Sequence, residues 1–450
     1  MSASSRFGNT MFGYYLDLAL RSFRRNKVLT ALMVLAIALG IGASMTTLTV
    51  FHVLSGDPLP GRSHALYYPQ LDPAGMDGYI AGEEPEDQMT RFDAETLLRD
   101  KRGDRQAVMT GGNVAVVPRQ GAQQQANIDP FYANARYTSA DFFAMFDVPF
   151  AHGNGWSGAE DDKRARVAVI SKALNDKLFG GSSSVGRSLR LGEHDFAIVG
   201  VLDAWRPTPR FYDMSNDRFS EVEQVFLPFS TSRELKLDTQ GNVNCWAESS
   251  GAEGAHGLNA PCAWLQYWVQ LDTPAKAAAY RQYLANYSDQ QRAGGRYERP
   301  TNIRLRSLME WLDYRKVVPG DVRLQVWLAL GFLLVCLVNT VGLLLAKFLR
   351  RSGEIGVRRA LGASRRAIFA QCLVEAGTVG LVGGVLGLGL ALLGLWAVRQ
   401  QPAGYAAVAQ LDAPMLVLTF VLAVSASLLA GLLPAWLACK VAPAIQLKSQ

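Results

Sequence analysis

Four apolar runs constrain this chain more than any other feature. They cover residues 28–54, about 324–346, 367–398 and 414–438. Each exceeds the ~20 residues a helix needs to cross roughly 30 Å of hydrocarbon. No water is present there to satisfy the backbone, so each run must close its own amide hydrogen bonds, as a helix does. Between the first two runs lies a polar stretch, residues 55–321, long enough for a core of its own.

Charge placement orients the runs. The formal net charge of +6 would by itself admit nucleic acid as a partner. Outside residues 55–321, however, 16 Lys and Arg stand against four acids (Asp17, Glu354, Glu375, Asp412), whereas inside there are 29 basic and 35 acidic residues. The excess sits beside membrane ends: Arg21, Arg24, Arg25 and Lys27 precede the first run, and seven basic residues separate the second from the third. Short basic loops are retained in the cytoplasm. The expectation is a multi-pass membrane protein with both termini cytoplasmic, residues 55–321 outside, and no nucleic-acid partner. The first run is about 27 residues long, beyond the 7–15 of a signal h-region, and reads as an uncleaved anchor. Ahead of it, Phe12, Leu16, Ala19 and Phe23 share one helical face, which predicts an amphipathic helix within residues 1–27 lying among membrane lipids.

The outer segment alternates strand and helix patterns. Strands are expected at 64–71 and 107–117 around a helix near 91–101. A second set follows: strand 264–271, a helix from Thr273-Pro274 to about Gln291, and strand 302–308. These pieces, about 55–130 and 264–321, predict one porter-like α+β unit assembled from distant parts, with residues 131–263 inserted into it. Within the insertion, Arg166-Val167-Ala168-Val169-Ile170-Ser171, a helix carrying Leu174 and Leu178, and a hairpin of 185–191 with 196–201 are read from alternation. Residues 206–257 look irregular and exposed. The fold class expected is therefore a membrane α-helical protein of four transmembrane helices with a large α+β extracytoplasmic domain between helices 1 and 2. Cys245 and Cys262 are the only cysteines of the outer segment and form a candidate disulfide.

The stretch 347–389 carries the densest signal: a basic patch with Glu354-Ile355-Gly356-Val357-Arg358-Arg359-Ala360-Leu361-Gly362-Ala363, then a glycine-bearing apolar run. In that run Gly380 with Gly384, and Gly383 with Gly387, match the small-xxx-small spacing of packed membrane helices. Ala36, Gly40 and Ala43 suggest close helix approach in the first run, across a dimer interface if one forms. Asn339 is expected to hydrogen-bond between helices, and Glu375 to pair with Arg365 or Arg366.

No Gly-Lys dipeptide occurs, so the sequence holds no phosphate-binding loop of that kind. It also lacks a Gly-x-Ser-x-Gly elbow, Cys-x-x-Cys and His-Glu-x-x-His, and its five histidines are scattered. The chain is expected to be no enzyme, with no catalytic residues, metal or cofactor of its own.

Residues 354–376 followed by 380–391 resemble the permease segment of MacB/FtsX/LolC-type ABC transporters, and residues 139–201 resemble a MacB-like periplasmic core domain. Leu433-Pro434-Ala435 with 442–447 is similar to the family's closing motif, Trp436-Leu437 replacing the usual basic residues. The resemblance implies a permease subunit of the bacterial inner membrane with TM helices over 28–54, 322–346, 367–398 and 414–438. It implies a coupling loop at 347–366, a short periplasmic loop at 399–413 and a tail at 439–450. In that scheme Glu354, Gly356, Arg358, Arg359, Leu361, Gly362 and Ala363 contact a dimeric ABC ATPase subunit, which binds ATP and Mg. The arginines would meet acids there, and Gly356 and Gly362 would allow close backbone approach. Partners implied are a second copy or homologous permease, a periplasmic adaptor and an outer-membrane channel. The cargo would be a peptide, drug, siderophore-like molecule or lipoprotein. The alternative is an FtsX-like regulator of a cell-wall hydrolase that moves no cargo.

Overall fold

The computed structural model describes residues 23, 27–118, 128–215, 218–249, 251–401 and 404–440. Most of the amphipathic segment expected ahead of Lys27, and the closing motif at 442–447, lie outside the described residues. The chain divides into two units, residues 1–55 with 318–450 and residues 56–317.

The first unit begins with α1 (Lys27–Ser55). The second unit opens with β1 (Leu66–Gln70), β2 (Met89–Thr90), α2 (Arg91–Asp100), β3 (Arg105–Val116) and β4 (Phe131–Thr138). Next come α3 (Asp141–Met145), β5 (Phe150–Gly153), α4 (Gly158–Asp162), β6 (Val167–Ile170), α5 (Lys172–Phe179), β7 (Ser188–Leu191) and β8 (His194–Leu202). It continues with β9 (Val225–Pro228), α6 (Phe229–Glu234), β10 (Thr239–Gln240), β11 (Asn244–Cys245) and β12 (Cys262–Gln270), and closes with α7 (Pro274–Ala293), β13 (Arg304–Ser307) and α8 (Leu308–Tyr314). Helix starts follow the sequence chemistry. The hydroxyls of Thr90, Ser171 and Thr273 accept from the third amide of α2, α5 and α7, and Pro274 occupies the first turn of α7.

One mixed sheet runs β13-β1-β12-β3-β4-β9-β6-β8-β5. The distant ends of the segment do meet: Leu66 pairs with Gln270, Tyr67 with Ser307, and Gln266 with Met109. Strand β12 is buried at every position, which is why its sequence CAWLQYWVQ lacks polar alternation. Cys245 and Cys262 are opposite each other on β11 and β12 and are joined by a disulfide.

The irregular, exposed reading of residues 206–257 is corrected for its earlier part, up to β10, while residues 241–249 and 251–257 are exposed or half-buried as expected. The stretch holds β9, α6, β10 and β11, and Phe211, Tyr212 and Asp213 are fully buried. Strand β9 is four residues with all faces covered, too short to show a period. A buried ion network orders the rest. Arg136 donates to Asp213 Oδ2 at 2.7 Å and to Glu223, Arg210 reaches Glu223 at 3.1 Å, and the Tyr212 hydroxyl donates to Glu223 at 2.8 Å. Around it Phe146, Phe211 and Trp268 meet edge to face, with ring centroids 5.0 and 5.6 Å apart.

Returning to the first unit, α9 (Gly320–Arg350), α10 (Ser352–Ala360), α11 (Arg365–Arg399) and α12 (Ala413–Lys440) complete the chain. Four of the helices in this unit, α1, α9, α11 and α12, are long and apolar enough to cross a membrane. The glycines of α11 face two different neighbours. A Cβ on Gly380 would lie 1.9 Å from Ser427 Oγ and one on Gly384 2.8 Å from Ala423, both on α12. On Gly383 and Gly387 it would meet Ile37 and Ile41 of α1 at 2.7 and 2.9 Å. Gly40 of α1 is used within the chain, against Leu333 and Cys336 of α9, rather than being held open for another copy. Asn339 also departs from expectation. It is exposed on α9 beside Val335 and Val338, because the helical phase turns Leu333, Cys336 and Thr340 inward instead.

Candidate functional site: the basic turn between two membrane helices

The turn at 351–364 is built from local rules. Helix α10 has Glu354 in its first turn and Arg358 and Arg359 in its last, as the helix dipole favours. Glu354 and Arg358, four residues apart, pair at 3.2 Å. The helix ends as Ala363 N–H reaches Arg358 O at 3.0 Å and Gly362 N–H reaches Arg359 O at 3.1 Å. That six-to-one and five-to-two pattern requires a left-handed residue, and Gly362 supplies it with φ +101°. Gly362 therefore serves backbone conformation: nothing lies within 4 Å of where its Cβ would be. Ser364 then caps α11, its hydroxyl accepting from Ala367 N–H at 3.2 Å.

A buried ion cluster ties this turn to the membrane helices. Lys347 Nζ, fully buried, lies 2.7 Å from Glu375 Oε1 and donates to Thr30 Oγ1 at 3.3 Å. Arg351 bridges Glu375 at 3.2 Å and Glu354 at 3.4 Å. Arg358 also donates to Gln371 at 3.1 Å, and Arg359 to Cys439 O at 3.2 Å. The expected pairing of Glu375 with Arg365 or Arg366 is thus replaced by Lys347 and Arg351. Nine or ten residues along one helix amount to about 14–15 Å, out of reach, whereas α9 delivers two cations a turn apart to the same depth.

What the turn presents outward is apolar. Val357 is 54% exposed and Leu361 83%, four residues apart on the outer face, while Gly356 is buried and Ala363 packs against the helix core. The arginines singled out from sequence are largely engaged with this chain, and Val357 is the outward residue that reading missed. Its signal was present in the i, i+4 spacing with Leu361. Among the described residues, no cluster of three His, Cys, Asp or Glu side chains could hold a metal ion.

Residues 30–287 match the family described as MacB-like periplasmic core domain, and residues 326–443 match FtsX-like permease C-terminal. The first match alone covers more than half of the chain. The chain belongs to the MacB/FtsX-type ABC transporter permeases. The macrolide export ATP-binding/permease protein MacB of Azoarcus sp. strain BH72 is 24% identical over 438 residues, covering 96% of this permease and 59% of that protein. The pyoverdine export ATP-binding/permease protein PvdT of Pseudomonas entomophila is 26% identical over 291 residues, covering 63% and 37%. This permease therefore spans about three-fifths of the length of the first relative and little more than a third of the second. The crystal structure of the periplasmic region of MacB from Actinobacillus actinomycetemcomitans aligns over 56% of this permease and 92% of that chain, at 11% identity and a TM-score of 0.34. The permease family and the four apolar helices make this a multi-pass inner-membrane protein.

Proposed function

We propose that this permease is the membrane-spanning part of an ABC exporter or extractor, and that α10 is where ATP hydrolysis is felt. An ATPase on another polypeptide binds ATP and Mg, and its dimerisation displaces α10. The Glu354–Arg351–Glu375–Lys347 chain passes that displacement to α11 and α9. The basic turn faces the cytoplasm by the positive-inside rule, and residues 56–317 face the periplasm, where the cargo (a peptide, drug or lipoprotein) is taken up. A second copy or a homologous permease completes the assembly, with an adaptor and outer-membrane channel as further partners.

The observation that carries this reading is the pair Val357 and Leu361, exposed on a helix whose charged side is anchored to its own membrane helices. An apolar knob on a rigid mount transmits force to whatever covers it. Burying two such side chains is worth about 3–6 kcal/mol. Val357→Asp with Leu361→Asp should therefore leave the permease inserted while ATPase co-purification and ATP-driven transport fall by about a hundredfold. Undiminished coupling in that variant would sink the assignment. Arg358→Glu with Arg359→Glu should also uncouple hydrolysis from transport, in part through loss of the Glu354 and Gln371 pairings. Mass spectrometry of what co-purifies from native membranes tests the wider reading, with an ATPase accompanied by an adaptor or second permease expected. Recovery of a wall hydrolase instead would favour the regulator.

A further inference from the structure

A cleft of about 720 Å³ opens in the large unit between α2, on the porter-like side, and α4 and α6, in the stretch expected to be an insertion. Its size falls within the roughly 300–1,000 Å³ typical of small-molecule sites. Phe229, Val108 and Leu98 supply apolar lining, and charged side chains of both signs ring it. A second cavity of about 280 Å³ shares Arg233, Lys236 and Glu253 with it, so Arg233 borders both.

The cations of this cleft are not equivalent. Arg91 is neutralised by Glu95 at 2.6 Å and Glu253 at 2.7 Å. Arg233 has no carboxylate at ion-pair distance among the described residues. Its Nη2 donates to Leu237 O at 2.9 Å and its Nε to Ser232 Oγ at 3.3 Å, which leaves three of its five N–H groups without a partner there. Its charge is held by three aromatic rings: Trp264 at 5.4 Å, and Tyr137 and Phe229 each at 5.9 Å. Rings stabilise a guanidinium through its face and leave its in-plane edge for a planar anion. Burial, aided by the like charge of Arg91, lowers its pKa to about 10. It stays charged at neutral pH and under-compensated.

We propose that this cleft binds a small amphipathic carboxylic acid, its carboxylate paired edge-on with Arg233 and its apolar body resting on Leu98 and the accessible edge of Phe229. Besides Arg233, five acidic side chains and five basic ones (Arg91, Arg99, Lys101, Arg164, Lys236) line it, so the pairing with Arg233 rather than the net charge of the cleft selects the ligand. The inference goes beyond export, since it concerns equilibrium binding to the large unit and needs neither ATP nor a partner.

The test uses the full chain in phosphatidylcholine nanodiscs and N-dansylglycine as probe, with empty nanodiscs subtracting membrane partition. Saturable binding is expected, with dansylamide, which lacks the carboxylate, binding at least about tenfold more weakly. Arg233→Gln should weaken N-dansylglycine by a similar factor. Because Arg233 also packs on rings, Leu98→Trp provides a second variant that fills the cleft and leaves the ring cage intact; it too should abolish saturable binding. No saturable binding to the wild type overturns the proposal, as does wild-type affinity in a folded Leu98→Trp chain or equal affinity for dansylamide. Undiminished coupling in the α10 variants with dansylglycine binding intact would sink the export reading alone.

Discussion

Two groups of buried charge define this protein at the residue scale, and each is costly unless complete. Lys347 and Glu375 are both nearly inaccessible, so removing Glu375 leaves the Lys347 charge without its carboxylate in an apolar interior. Glu375→Ala should lower stability by about 3–5 kcal/mol, and adding Lys347→Met should recover most of it. Thermal unfolding in detergent measures both, and an unchanged midpoint in the single variant would refute the pairing. In the large unit, burial alone would raise the Asp213 pKa, but Arg136 and Arg210 outweigh it and hold the carboxyl down at about 2. A depressed carboxylate stabilises the fold above its ordinary pKa, and that stability fades as pH falls through the folded value. The urea midpoint of Asp213→Asn should thus lie below the wild type at pH 7. The gap should hold down to about pH 4 and close as pH falls towards about 2. Asp161, whose pKa burial raises to about 6, loses stability in the opposite sense as pH rises from about 4 to 6, and the comparison cancels it because both chains carry it.

At the scale of elements, α11 shows how one helix serves two partners. Glycine costs a helix interior about 1 kcal/mol relative to alanine, and close approach must return that. It does so at Gly380 and Gly384 against α12 and at Gly383 and Gly387 against α1. Gly389 has open space where its Cβ would be. Gly380→Ala and Gly383→Ala should therefore each lower the unfolding midpoint, while Gly389→Ala leaves it unchanged or raises it. Equal effects at all three would mean that the spacing reflects composition rather than packing. The small-xxx-small spacing was legible in the chain, but its division between two neighbours was not. Spacing gives a face, and only the positions of α1 and α12 say what that face meets. The same limit applies to Asn339, whose polarity suggested a buried partner while its helical phase placed it outward.

For the whole molecule, the disulfide is the feature that reports on compartment. Of the five cysteines, Cys245 and Cys262 are bridged and Cys336, Cys372 and Cys439 are free and buried. Denatured, unreduced protein from native membranes should take up three equivalents of a maleimide, and five after reduction. Five without reduction would contradict both the bridge and the exposure of the large unit to an oxidising compartment.

Membrane-length apolar runs, the bias of basic residues beside their ends and the helix cap at Thr273-Pro274 act over one helix or less, and the amino-acid sequence alone determined them. The same holds for the paired Gly spacings and for the family resemblance carried by residues 354–363. Tertiary structure decided which partners buried charges take, since Lys347 and Arg351 reach Glu375 across helices that sequence distance does not relate. It also decided that residues 210–214 and 225–228 belong to the core, because a four-residue strand buried on all sides has no period to read. Finally, it turned α10 so that Val357 and Leu361 face outward while its charges face home, a choice set by the ion cluster beneath it.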